Sequence, residues 1–111
     1  MGDMKPNPLD DAAAAAYVRP RDAILAEAGR LISGDREGTY GDARDDFTRT
    51  GKMWAAILGL THDIPPEKVA MCMAALKIGR LCRSPGHADS WVDACGYLAL
   101  GGDIAASRGP A

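Results

Sequence analysis

The sequence predicts an all-α fold: a four-helix, bundle-like domain completed by homo-oligomerisation. Apolar residues recur at helical spacing in four stretches, and no stretch shows the alternation of an exposed-face strand. The segments between them are short and rich in Gly, Pro and Asp, as in helix-to-helix turns. The third stretch is apolar nearly all round. Three partner helices cover such an element poorly, so a dimer or tetramer is expected to complete the core.

Residues 1–20 read as a leader of weak structure, punctuated by Pro6, Pro8 and Pro20. The first helix is "RDAILAEAGRLIS", with Ile24, Leu25, Ala28, Leu31 and Ile32 as its stripe and Gly34 as a stop. Glu27 borders that stripe. "GDREGTYGD" is a Gly-rich turn in which Thr39 and Asp42 have capping-box spacing. The second helix, "DARDDFTRTGKMWAAILG", turns Phe47, Trp54, Ile57 and Leu58 inward. Gly51 between them allows a close neighbour, and Gly59 can end the helix. "LTHDIPPEK" connects, with Pro66 suited to a first helical turn. The third helix, "PEKVAMCMAALKIGRLCRS", is expected to be buried on most faces, its methionines filling core. The fourth, "GHADSWVDACGYLAL", sets Trp91, Cys95, Leu98 and Ala99 on one face. Asp89, Asp93, Gly96 and Leu100 lie nearly opposite. Trp54 and Trp91 are most simply core aromatics. Residues 103–111 are expected to fray, leaving 21–102 as the domain.

Composition narrows the class. A chain of 111 residues forms one domain, and an apolar fraction of 47% is ordinary for a globular protein. A net charge of -2 gives no direct nucleic-acid signal and no pull toward an anionic membrane. No apolar run approaches the roughly 20 residues that span a bilayer, and the alanine-rich start is a poor secretion signal. Cys72, Cys82 and Cys95 are odd in number and form no CxxC, so they read as reduced core residues of a cytoplasmic protein. His62 and His87 lack zinc-ligand spacing, and the Gly-rich turn lacks the Gly-Lys-Ser/Thr ending of a P-loop.

One constellation carries chemistry. Lys77 and Arg80 interrupt the apolar third helix, and Asp89 and Asp93 stand one turn apart on the fourth. The turn "RSPGH" lets the two helices pack antiparallel, so the cations should face the acids, with Glu27 a third acid on that side. The plainer reading is a structural salt-bridge network that fixes helix register. The functional reading is a cleft for a nucleotide or another phosphorylated small molecule. Glu27, Asp89 and Asp93 would hold Mg²⁺, a hard ion that takes oxygen ligands. Lys77 and Arg80 would bind phosphate, and Tyr40 and Asp42 would line the nucleotide side.

Taken together, "ILAEAGRLISGDREGTYGD", "MWAAILG", "VAMCMAALKIGRL" and "DSWVDACGYLAL" resemble a family of small phage and prophage proteins of uncharacterised function, over residues 24–100. That resemblance implies the cytoplasm of an infected or lysogenic bacterial host. More distantly, the chain is similar to the MazG-like all-α nucleoside triphosphate pyrophosphohydrolases. Those are Mg²⁺-dependent helical oligomers that split a nucleotide between its α and β phosphates. By that likeness Glu27 corresponds to the first acidic helix, Asp89 and Asp93 to the later acid pair, and Lys77 to a cation near the phosphates. The family's ExxE is not present, since Arg30 stands three residues after Glu27, and the later pair is DxxxD. A nucleotide-sequestering accessory protein would keep the cleft without the reaction.

Overall fold

The computed structural model describes residues 17–33 and 43–107. Among these, four helices and no strand are found: α1 (Pro20–Ile32), α2 (Ala43–Leu58), α3 (Pro66–Arg83) and α4 (Ala88–Ala106). Their ends follow from local chemistry. Pro20 and Pro66 occupy the first helical position, where the missing N–H costs nothing. Asp22, Glu67 and Asp89 lie in first turns, and Arg30, Arg80 and Arg83 in last turns, each complementing the helix dipole. Gly59 ends α2 at φ 69°, a left-handed conformation that costs glycine little, and Leu60 N–H then donates to the Ala55 carbonyl at 2.8 Å.

α3 and α4 form an antiparallel hairpin, and that pair is the centre of the fold. Its closeness depends on small residues. Gly101 lies so near α3 that a Cβ there would stand 3.0 Å from the Ala70 Cβ. Ser90 closes the hairpin's corner: it is fully buried, and its hydroxyl pairs with His87 Nδ1 at 2.8 Å. α1 packs on α4, with Ile32 against Gly96, and α2 packs on α3. At the second junction the close approach expected at Gly51 is observed. A Cβ there would collide with the Ile64 carbonyl oxygen and press on Val69, which is wholly buried.

The core is made of small and medium residues: Ala28, Ala55, Val69, Ala70, Ala74, Leu81, Val92, Ala94, Leu100 and Ile104. Several large residues assigned inward by their spacing face outward instead. Ile57 is 81% exposed and Leu58 65%. Met71, Leu76 and Ile78 leave one side of α3 bare, so this helix is not covered on most faces within one chain. Trp91 is 45% exposed, its indole N–H donating to the Pro85 carbonyl at 2.8 Å, so it braces the turn and does not fill the core. Cys72 and Cys82 are exposed and Cys95 is half-buried, so none is a core residue. Spacing reports which residues share a face of a helix, but not which face the neighbours cover. At the C-terminal end α4 continues to Ala106, with Gly101 and Ile104 buried.

Candidate functional site

The hairpin brings one of the two candidate α3 cations, Lys77, onto an α4 acid. Lys77 Nζ lies 3.0 Å from Asp93 Oδ2, and the lysine side chain is only 15% exposed against 36% for the aspartate. Lys77 reaches this place because it shares the inward side of α3 with Ala70, Ala74 and Leu81, whose small or aliphatic side chains leave room for its stem.

Asp93 also lines a cleft of about 150 Å³ between α1 and α4, walled by Ala28, Leu31, Ile32, Val92, Gly96 and Tyr97. Two small residues, Ala28 of α1 and Gly96 of α4, line the cleft and leave room between the helices, and Ile32 is the side chain that comes close to Gly96. Its walls are mostly apolar. Its polar features are the Asp93 carboxylate, backed by Lys77, and Tyr97. The Tyr97 ring contacts Phe47 of α2, with ring centroids 6.3 Å apart and planes tilted by 47°. Tyr97 is a site residue that is not among the sequence-derived candidates. The cue was its position four residues after Asp93, one turn along the same side.

The remaining candidate residues disperse. Arg80 is exposed and joins Arg83, Ser84 and His87 around a separate, open hollow of about 360 Å³ at the α3–α4 turn. Asp89 is exposed in the first turn of α4, where the helix dipole accounts for an acid. Glu27 precedes the cleft residue Ala28 on α1, but its carboxylate is taken by the Arg30 guanidinium in a two-pronged ion pair, with bonds of 2.9 and 2.6 Å. That hydrogen bond, aided by the arginine's charge and opposed by slight desolvation, holds the Glu27 carboxyl below its ordinary value of 4.5. Among the described residues, no three His, Cys, Asp or Glu side chains gather as a group that could hold a metal ion. Glu27, Asp89 and Asp93 therefore do not present a ready Mg²⁺ donor set here. Tyr40 and Asp42 lie outside the described residues.

Comparison with known proteins is consistent with a phage relationship. A family model described as "Domain of unknown function (DUF6378)" matches residues 23–105. The Gene 55 protein of Mycobacterium phage L5 is 37% identical over 78 residues, which is 70% of this chain and 49% of that protein. The Gene 55 protein of Mycobacterium phage D29 is 36% identical over 76 residues, 68% of this chain and 49% of that protein. The chain thus spans about half the length of the curated relatives it matches. No solved structure matches it.

Proposed function

We propose, on the premise that this chain belongs to DUF6378, a small phage protein family of unknown function, that it binds a phosphorylated small molecule, a nucleotide first among them, in the cleft between α1 and α4. One observation carries the reading. A largely desolvated lysine is paired with an aspartate that opens onto a mostly apolar cleft. Withdrawing the lysine from water carries a desolvation cost, and apolar replacements of similar size are often as stable, so a lysine held this way at a cleft mouth favours a use beyond packing. Leu31, Ile32 and Val92 offer an apolar wall for a planar base, and Tyr97 offers a ring edge and a hydroxyl. Asp93 would accept a hydrogen bond from a base N–H or sugar hydroxyl, and Lys77 would supply positive charge for phosphate. At about 150 Å³ the cleft takes part of a nucleotide, with the rest left outside, since whole-ligand pockets run from about 300 Å³ upward.

Binding without turnover is the first form of this proposal. MazG-like cleavage between the α and β phosphates is the second, and it needs Mg²⁺. As they stand, the donors do not fit that ion, because Glu27 and Asp93 each hold a cation and Asp89 sits apart, so no step is derived through it.

Thermal melting of the full chain against the common NTPs and dNTPs, with and without Mg²⁺, tests both forms. A rise in midpoint with the nucleotide recovered intact supports binding. A rise with Mg²⁺-dependent pyrophosphate release supports hydrolysis. A third result, no shift with any nucleotide, leaves the ion pair with a structural role only. In that case the double variant Lys77→Met/Asp93→Leu should keep near-parental stability, while Asp93→Leu alone, which strands the mostly buried Lys77, should destabilise more than Lys77→Met alone, which leaves an Asp93 that water still reaches.

A further inference from the structure

The bare side of the hairpin has a regular pattern. On α3, Met71, Ala75, Ile78 and Cys82 follow one another at intervals of four, three and four residues, and all four are exposed. On α4, Trp91, Cys95, Leu98, Gly102 and Ala105 repeat at four, three, four and three, exposed except for half-buried Cys95. These are the spacings of the seam positions in packed helical pairs, and each seam here is apolar throughout. A monomer has no use for two such seams turned to water.

The two seams open on the same side. On α3 the side facing α4 is marked by Ala70, Ala74 and Leu81; on α4 the side facing α3 is marked by Ser90, Ala94 and Gly101. Advancing by 100° per residue, each seam lies about a quarter turn onward from its marked side. Because the helices run antiparallel, the two quarter turns bring both seams to one face of the hairpin. α1 and α2 occupy the other face, through the contacts of Ile32 with Gly96 and of Gly51 with Val69.

We infer that a second copy of this chain covers the face, its own hairpin laid antiparallel-on-antiparallel to make a four-helix layer across a two-fold axis. Size and charge argue for this occupant. Two helices of this length make a face about 27 Å long and about 20 Å wide, on the order of 500 Å² in projection and more as corrugated accessible surface. A stable interface takes about 800 Å² from each partner. Trp91 stands at one end of the patch, its indole already fixed by Pro85, so little side-chain freedom is lost on docking.

Charge helps to select the axis. Lys68 flanks the α3 seam, Asp103 lies on the outer edge of α4 about a third of a turn beyond its seam, and both are exposed. The level of Ala70 on α3 is that of Gly101 on α4. An axis parallel to the helices sets α3 against the partner's α4, and Lys68 then stands level with the partner's Asp103, with the long lysine stem able to reach toward it. An axis across the helices would set Lys68 against the partner's Arg83, a like-charge clash. In the parallel-axis arrangement Trp91 packs near the partner's Ile78 and Leu98 near the partner's Met71.

Sedimentation equilibrium of the full chain tests this. The expected particle is a multiple of the 11.7 kDa chain mass, with two chains as the unit. Ile78→Asp/Leu98→Asp should weaken association by more than about 1,000-fold, since it drives two charges into an apolar interface. Ile57→Asp, an exposed position on α2 away from the seams, should leave the mass unchanged. Lys68→Asp should weaken association about tenfold, and Lys68→Asp/Asp103→Lys should restore it. That rescue also decides the matter if the double aspartate variant loses its helical circular dichroism. A single-chain mass at about 100 µM overturns the inference, because a self-association that weak falls short of this interface class. Dissociation by Ile57→Asp overturns it, and so does a two-chain particle indifferent to Lys68→Asp.

Discussion

Replacing Gly51 with alanine should destabilise this protein, although the same change in an open helix stabilises. Gly51 lies within α2, and in an unobstructed helix Gly→Ala is worth about 1 kcal/mol in favour of folding. Here the new methyl has nowhere to go. It would overlap the carbonyl oxygen of Ile64 and stand 3.3 Å from Val69 Cγ2. The segment that must yield is stiff, since Ile64 precedes Pro65 and Pro66. α2 would have to back away from the start of α3. That would stretch the Ile64 N–H···O=C bond to Gly51, now 3.3 Å, worth about 1 kcal/mol net. It would also open the wholly buried Val69, whose full burial is worth about 1.5–3 kcal/mol. Losing the bond and half of that burial, less the propensity gain, leaves about 0.75–1.5 kcal/mol of destabilisation, at the low end of the range for overpacked sites. For a domain of this size that is a fall of about 3–12 °C in Tm. Gly29→Ala on α1 is the control: nothing lies within 4 Å of its Cβ position, so Tm should hold or rise. Thermal and urea unfolding followed by far-UV circular dichroism, at one chain concentration, gives both values. A Gly51→Ala protein as stable as its parent would refute the argument for close α2–α3 packing.

Gly59→Ala should cost about 1 kcal/mol in the same urea titration, because φ 69° is a conformation that side chains with a Cβ resist. An unchanged midpoint would mean that α2 does not end in a left-handed residue. Ser90→Ala should cost about 1 kcal/mol by removing the hydroxyl that meets His87 at the buried hairpin corner; parental stability would deny that bond any weight. Glu27 sets an acid-side dependence. Its folded pKa lies below 4.5, so its contribution is complete above that value and is lost as pH falls through the folded pKa. The carboxylate is solvent-exposed, so the effect is small. Glu27→Gln should lower the unfolding midpoint slightly at neutral pH, and the gap to the parent should close in acid; a gap that widens in acid would reverse the assigned direction.

The residue pattern alone determined the four helices, their order and most of their ends, because helical period, proline and glycine act within a few residues of the chain. It also identified Gly51 as a point of close approach and Lys77 with Asp93 as facing charges, since a short turn leaves an α-hairpin little choice of partner. Only the tertiary structure decided which face of each helix is covered. The spacing that marks Trp91, Leu98, Met71 and Ile78 as members of apolar stripes is the same whether a stripe meets its own chain or a second one. Arg80 could not be separated from Lys77 by type or by helix. Three residues of rotation put one beneath α4 and the other at the open turn. Inter-helix rotation and depth arise from contacts between distant residues, and those contacts decide whether a charge is paired, a methionine is wet, or a cleft exists.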